Sequence, residues 1–337
     1  MSLYEEISKQ EEIENIELLV QMGIKVKTRL KKKKFEKKGF ISDNIVHIPN
    51  FAIPDIRCES FSIESINEDI NNILQKNSIK RFDYNDWRMQ NKYEPIDFVE
   101  VIKVLNKFNT KTDYSGVEAF SIHELNTKIF SLKEKILPII NFIEQNNFVE
   151  VSMGSGSSFT LELPYSNTSF LCLNKDEGKF EKSVYYLHEL GHVYHNYSKF
   201  KRKILTSIET DERVAHIVEY YLVRNIFTVD MMSSYTKLLY ERLYNCTLLT
   251  LFQSEIYLNP NDYKTTKAKQ VLFDTLTTQI YNDAFNASNL SWAYESQITR
   301  YPFYSGAYIY PILELIKIIK DSGHSHLNLE NMLKLIY

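Results

Sequence analysis

Along most of this chain, apolar positions repeat with the period of a single helix face. Residues 5–22 place Ile7, Ile13, Ile16, Leu19 and Met22 at roughly helical spacing, and Gly23 follows where a C-cap glycine would sit. Longer helical patterns run through IDFVEVIKVLNKF (residues 96–108) and SLKEKILPIINFIEQ (131–145), the second with Pro138 as the expected kink. The texture changes at VEVSMGSGSSFTLELPYSNTSFLCLN (149–174), whose glycines, serines and β-prone residues predict a loop and two or three short strands. Residues 40–60, with two prolines and short apolar clusters, predict irregular or short-strand structure at a boundary. After residue 180 the helical period returns and lasts to the end, with Pro311 opening the apolar run ILELIKIIK and Gly323 placed to close it. The pattern predicts a mainly α protein with a small β-sheet, divided into a partly helical N-terminal region, 1–94, and a second domain, 95–337.

Composition narrows this picture. A chain of 337 residues can bury a large core, and 44% hydrophobic with 25% charged residues is ordinary for a globular protein. Only nine glycines and eight prolines interrupt it, in keeping with long helices. The net charge of -3 offers no global field for nucleic acid, and the basic run from Lys25 to Lys38 is local and reads as a solvated face. Cys58, Cys172 and Cys246 are far apart and odd in number, so neither a disulfide framework nor a cysteine zinc site is expected. The N-terminal segment has no apolar signal core, and no apolar run approaches the roughly 18 residues of a membrane span. A cytoplasmic protein with no membrane insertion is the expectation.

The chemistry concentrates in YYLHELGHVYHNY (185–197), which holds three of the eight histidines. In a helix His188 and His192 are one turn apart on one face, so both imidazoles can reach one ion at about 2.0–2.1 Å. Glu189 completes H-E-x-x-H, in which the glutamate does not ligate zinc but takes a proton from the water that zinc activates. Val184, Leu187, His188, Gly191, His192 and His195 share the stripe that faces a core. Burying three imidazoles and a carboxylate is costly unless a metal and hydrogen-bonding neighbours compensate. Gly191 costs about 1 kcal/mol inside a helix relative to Ala, which implies close packing there. A third ligand is expected from the next helix, IETDERVAHIVEYYLV (208–223). Glu212 is the first choice, Glu209 and His216 are alternatives, and Glu219 suits the orientation of a ligating histidine.

These segments resemble the zinc oligopeptidases typified by oligoendopeptidase F and thimet oligopeptidase. HELGHVYH looks like that family's H-E-x-G-H-x-x-H, which implies His188 and His192 as ligands of one Zn²⁺ per chain, Glu189 as base and His195 as a supporting residue. ERVAHIVE, from Glu212 to Glu219, is similar to the family's ligand helix, where a second glutamate follows seven residues later. FVEVSMGSGSSFT followed by SFLCLN resembles the loop and edge strand before the metal helix. That likeness implies main-chain pairing of a peptide substrate along Phe170, Leu171, Cys172, Leu173 and Asn174. RYPFYSGAYIYP resembles the tyrosine-rich segment that closes over the zinc and implies Tyr304 and Tyr308, then Tyr301, as phenol donors to the developing oxyanion. The histidine that often precedes this segment in the family is replaced here by Thr299 and Arg300. The likeness covers about residues 95–325, so residues 95–337 are expected to be the catalytic domain. The unmatched N-terminal region implies a reduced form with a differently covered cleft.

Two other readings accommodate the motif. Regulatory proteases that cleave a repressor protein also carry HELGH and a glutamate helix, though the late position of the motif and the tyrosine-rich segment speak against them. A non-catalytic peptide-binding scaffold would not need the base Glu189. The expectation is a zinc endopeptidase acting on short or specific peptides.

Overall fold

The computed structural model describes residues 3–21, 45–47, 71, 83–90, 93–107, 114–132, 147–153, 158–164, 167–174, 178–281, 292, 303–321, 329 and 333. Gly23, the basic run, Pro138 and Gly323 lie outside the described residues. The chain divides into two compact units, one of residues 1–55, 114–234 and 322–337, the other of residues 56–113 and 235–321. Both are mainly helical, as the periodicity predicts. Among the described residues no helix is long and apolar enough to cross a membrane.

The first unit carries a four-stranded sheet of β1 (Ile45–His47), β2 (Asn147–Met153), β3 (Phe159–Leu163) and β4 (Thr168–Asn174), in the order β1-β2-β4-β3. β1, β2 and β4 run parallel, and β3 folds back antiparallel on β4 through a turn in which Asn167 takes φ 51°, a left-handed value that asparagine tolerates. β4 is thus an interior strand, hydrogen-bonded to β2 along one side and β3 along the other. This corrects the expectation of an edge strand for Phe170, Leu171, Cys172, Leu173 and Asn174: Phe170, Leu171 and Cys172 are paired on both sides, while Leu173 and Asn174 pair with β2 and run past the end of the β3 pairing.

β3 alternates. Leu161 and Leu163 are buried on one face, while Thr160 and Glu162 reach the helix that follows the sheet. That helix, α5 (Lys179–Arg202), comes after α1 (Leu3–Gln21), α2 (Tyr84–Gln90), α3 (Phe98–Leu105) and α4 (Ile122–Ser131). Lys203, at φ 53°, ends α5, and Ser207 caps α6 (Ile208–Ile226) by accepting from the Thr210 N–H. The two helices form an antiparallel hairpin whose backbones nearly touch. A Cβ on Gly191 would lie 2.6 Å from the carbonyl oxygen and 2.7 Å from the Cα of Ala215. α4 supports α5 from behind, with a capping box between Ser121 and Glu124 and a hydrogen bond of 2.6 Å from the Tyr186 hydroxyl to Asn126.

Of the apolar positions of α1, Ile7 and Ile13 are exposed, whereas Ser8 and Glu12 are buried. Asn15 and Glu11 lie by a polar cluster. Asn15 Nδ2 donates to the main-chain oxygen of Glu162 at 2.7 Å, and Lys199 of α5 binds both Glu162 (3.0 Å) and Asp211 of α6 (3.3 Å). Burial opposes the charge on Lys199, but Glu162 and Asp211 outweigh it and raise its pKa. A single ammonium cannot neutralise all the acids around it. Burial, with Asp211 and Glu11 nearby, therefore pushes Glu162 up to about 7 despite Lys199.

In the second unit, α7 (Val229–Leu258), most of which belongs here, is followed by α8 (Thr266–Tyr281), a 3₁₀ turn at Tyr304–Tyr308 and α9 (Ile309–Asp321). Pro311 sits in the first turn of α9, where its missing N–H costs nothing. The 3₁₀ turn is anchored by Tyr84 of α2, whose hydroxyl donates to the Gly306 carbonyl at 2.5 Å and whose ring leaves no room for a Cβ there.

Gly191→Ala would ordinarily stabilise a helix interior, but here the added methyl must push two backbones apart. The expected result is a loss of about 1–3 kcal/mol, read as a lower melting temperature. Glu162, with its pKa raised to about 7 from an ordinary 4.5, contributes stability that is present in full below about 4.5 and lost as pH rises through about 7. The melting temperature of Glu162→Gln relative to the parent is therefore expected to rise from pH 5 to pH 8, in matched thermal scans.

Candidate metal centre

The hairpin register fixes what meets across the α5–α6 contact. Around the Gly191–Ala215 contact, His188, three residues before Gly191, meets both Glu219 and Glu212, and His192, the residue after Gly191, meets Glu212. His188 Nδ1 donates to Glu219 Oε2 at 2.7 Å, which turns Nε2 the other way. On that side lie His192 Nε2 at 3.2 Å and Glu212 Oε2 at 3.3 Å, with 3.5 Å between the latter two. A tetrahedral ion about 2.0–2.1 Å from each donor separates its donors by roughly 3.3–3.4 Å. The three atoms thus have the spacing of a shared ion.

Glu212 Oε2 is buried, and no hydrogen bond of good geometry reaches it. A buried carboxylate oxygen beside two imidazole nitrogens is costly unless a cation completes it, so the residues present fit a divalent ion of zinc's donor preference. The local field agrees. Burial opposes charge on His188, but Glu212 and Glu219 push its pKa up to about 10, and His192 is raised by Glu212 against the same penalty. The two imidazoles in turn hold the Glu212 carboxyl well below the usual carboxylate range in spite of its burial. Acidic groups have made this pocket favourable for positive charge.

His188, Glu219 and His216 also lie close enough to share an ion. His216 Nδ1 is 3.1 Å from the Glu219 oxygen that His188 uses, so this second group reads as a brace behind His188. Of the two alternatives for third ligand, His216 is turned to Glu219, and Glu209 is in neither donor group. His195 is buried on the same helix but turns away from the ion position, with Nε2 3.0 Å from Asp211 Oδ1 and 3.2 Å from Thr206 Oγ1. Burial lowers its pKa, and Asp211 only partly offsets this.

Glu189 is buried next to His188, and its charge contributes to raising His192. Thr160 Oγ1 of β3 donates to Glu189 Oε2 at 2.8 Å, leaving Oε1 as the unengaged oxygen of the pair in this contact. The sequence reading missed this residue: a threonine in a strand carries no local signal, and the contact spans 29 positions. Cys172 is buried in β4, and burial pushes its thiol pKa well up; it is in neither donor group.

Tyr304 and Tyr308 belong to the second unit, where their hydroxyls are 3.1 Å apart across the 3₁₀ turn. Tyr301 lies outside the described residues.

No family model matches this sequence, and no curated protein matches it. Among solved structures, a PZ peptidase A determined with an inhibitor is similar at a TM-score of 0.51, with 14% identity over 84% of this chain and 53% of that one. An oligoendopeptidase F has a TM-score of 0.48 and 12% identity over the same shares. The chain spans about half the length of these structures. At such identity the likeness to PZ peptidase A establishes the fold alone: this chain has a peptidase-like fold, mainly helical with a small sheet.

Proposed function

We propose that this protein is a zinc-dependent endopeptidase in which His188, His192 and Glu212 hold the ion and Glu189 is the base. The observation that carries the reading is the triangle of two imidazole nitrogens and one otherwise unsatisfied carboxylate oxygen beside the Glu189 carboxylate. When bound, zinc supplies a Lewis acid that polarises the scissile carbonyl and makes water a nucleophile near neutral pH.

The rest is done by the chain's own side chains. Glu189 Oε1 takes the proton of the attacking water and passes it to the leaving amine. Thr160 hydrogen-bonds the other oxygen and would hold the carboxylate in one orientation. Glu219 keeps His188 in the tautomer that presents Nε2, and His216 keeps Glu219 in place. Peptide main chain pairs with the outer edge of β3, beside Thr160 and Glu189. By the sequence likeness, the phenols of Tyr304 and Tyr308 serve the oxyanion.

About one zinc per chain is expected by elemental analysis, lost in Glu212→Ala and bound about 10–100-fold more weakly in Glu219→Gln. A Glu212→Ala protein that keeps its zinc would move the third ligand elsewhere. Glu189→Gln should retain zinc and lose hydrolysis of quenched peptides by several orders of magnitude, with Thr160→Val reduced less and Thr160→Ser close to the parent. Tyr304→Phe or Tyr308→Phe should lower kcat by about 10²-fold if that phenol serves the oxyanion. Peptide cleavage that survives in Glu189→Gln defeats the assignment.

A further inference from the structure

The outer edge of β3 is not open along its length. Asn15 of α1 donates its side-chain N–H to the Glu162 main-chain oxygen at 2.7 Å. In an antiparallel pair, successive residues turn their N–H and C=O alternately toward the partner strand and away from it. Glu162, whose carbonyl is taken from outside the sheet, is of the outward kind, and so is Thr160 two residues earlier. These are the β3 positions at which an extended peptide would find main-chain partners. Thr160 is beside the Glu189 carboxylate, and Glu162 is already occupied.

We infer that α1 limits how far a substrate peptide extends on its amino-terminal side, with Asn15 as the residue that ends the pairing. The inference rests on the endopeptidase reading above. Direction follows from strand geometry. An added strand pairs somewhat better antiparallel than parallel, so the peptide runs opposite to β3 and its amino end points from Thr160 toward Glu162 and α1. Charge agrees with that direction. α1 carries six glutamates and one lysine, and among them Glu11 lies close enough to the Lys199–Asp211 cluster to feel both. A free α-ammonium is favoured in that surrounding, and a carboxylate terminus is not. α1 is therefore a stop for the amino end of short peptides, replacing one main-chain hydrogen bond that a longer substrate would make.

The test uses the full-length, zinc-loaded protein and peptides sharing one cleavable bond, lengthened one residue at a time at either end, with free or acetylated amino termini. For the parent, kcat/KM is expected to rise with amino-side length up to a limit and then stop rising, with acetylation costing most at that limit. In Asn15→Ala and in Asn15→Asp, each of which removes the donor, the limit should move outward and the next residue should raise kcat/KM about two- to tenfold, the factor for one net hydrogen bond. Glu11→Gln, which leaves the Glu162 carbonyl capped, should keep the parental limit, and carboxyl-side lengthening should be unaffected in every variant. An unchanged limit in both Asn15 variants, or a limit found only on the carboxyl side, overturns the inference while cleavage itself leaves the endopeptidase reading standing. A zinc-loaded parent that cuts no peptide overturns both.

Discussion

Two helix backbones meeting at Gly191 and Ala215 are the contact on which the site depends. With side chains of ordinary size at both positions, α5 and α6 would be held farther apart. The distance from His188 to Glu219, and from the His188–His192 pair to Glu212, would then exceed what a hydrogen bond or a shared ion can span. The contact also sets register. Because the hairpin is antiparallel, residues before the touching point on α5 come opposite residues after it on α6, so His188 reaches Glu219 while Glu212 comes within range of both His188 and His192. Glu219 braces, Glu212 faces the ion position, and Asp211 lies nearest His195 and Lys199. One close approach therefore orders three separate polar interactions.

Those interactions divide α5 into two electrostatic halves. Around His188 and His192 the surrounding carboxylates favour a cation, and the unfilled hydrogen-bonding capacity of Glu212 lies there. Two turns further on, the helix supplies its own cation, Lys199, to acids from β3 and α6. That cluster ties β3, α5 and α6 together, and Asn15 of α1 adds a hydrogen bond to it. On α1, Ile7 and Ile13 are exposed while Ser8 and Glu12 are buried, and Asn15 is the residue that hydrogen-bonds the main chain of Glu162 in that cluster.

The grouping of His188, His192 and Glu212 was legible in the sequence because helices translate spacing into faces. HELGH places two imidazoles one turn apart, and E-x-x-A-H-x-x-E places Glu212, Ala215 and Glu219 along one stripe, with the small residue where the partner helix must come close. Gly191 was readable for the same reason. Strand order was not. The pattern in 149–174 locates three strands, but nothing local tells whether the chain adds β3 outside β4 or between it and β2. For that reason the strand expected at the edge of the sheet is an interior one. Thr160 and Asn15 escaped notice because their partners, Glu189 and the Glu162 carbonyl, are distant in sequence. The apolar period of α1 did not mark its buried positions, since Ile7 and Ile13 are exposed while Ser8 and Glu12 are buried.

The choice between an enzyme and a peptide-binding scaffold turns on Glu189. A scaffold could keep the two imidazoles and Glu212 for structural reasons, because a bound ion would tie α5 to α6. It would have no use for a second carboxylate buried beside that ion, one that is not in the donor group and is held by a hydroxyl from a different element. Burying such a group costs free energy that folding alone does not recover. A threonine on the adjacent strand offsets only part of this and leaves one oxygen for other work. Structure of this kind is retained where the carboxylate has a proton to move, and the edge strand that supplies the threonine is also the one with main-chain groups facing outward. The proposed base and the proposed peptide edge thus meet at one short strand, which favours the catalytic proposal over the binding one.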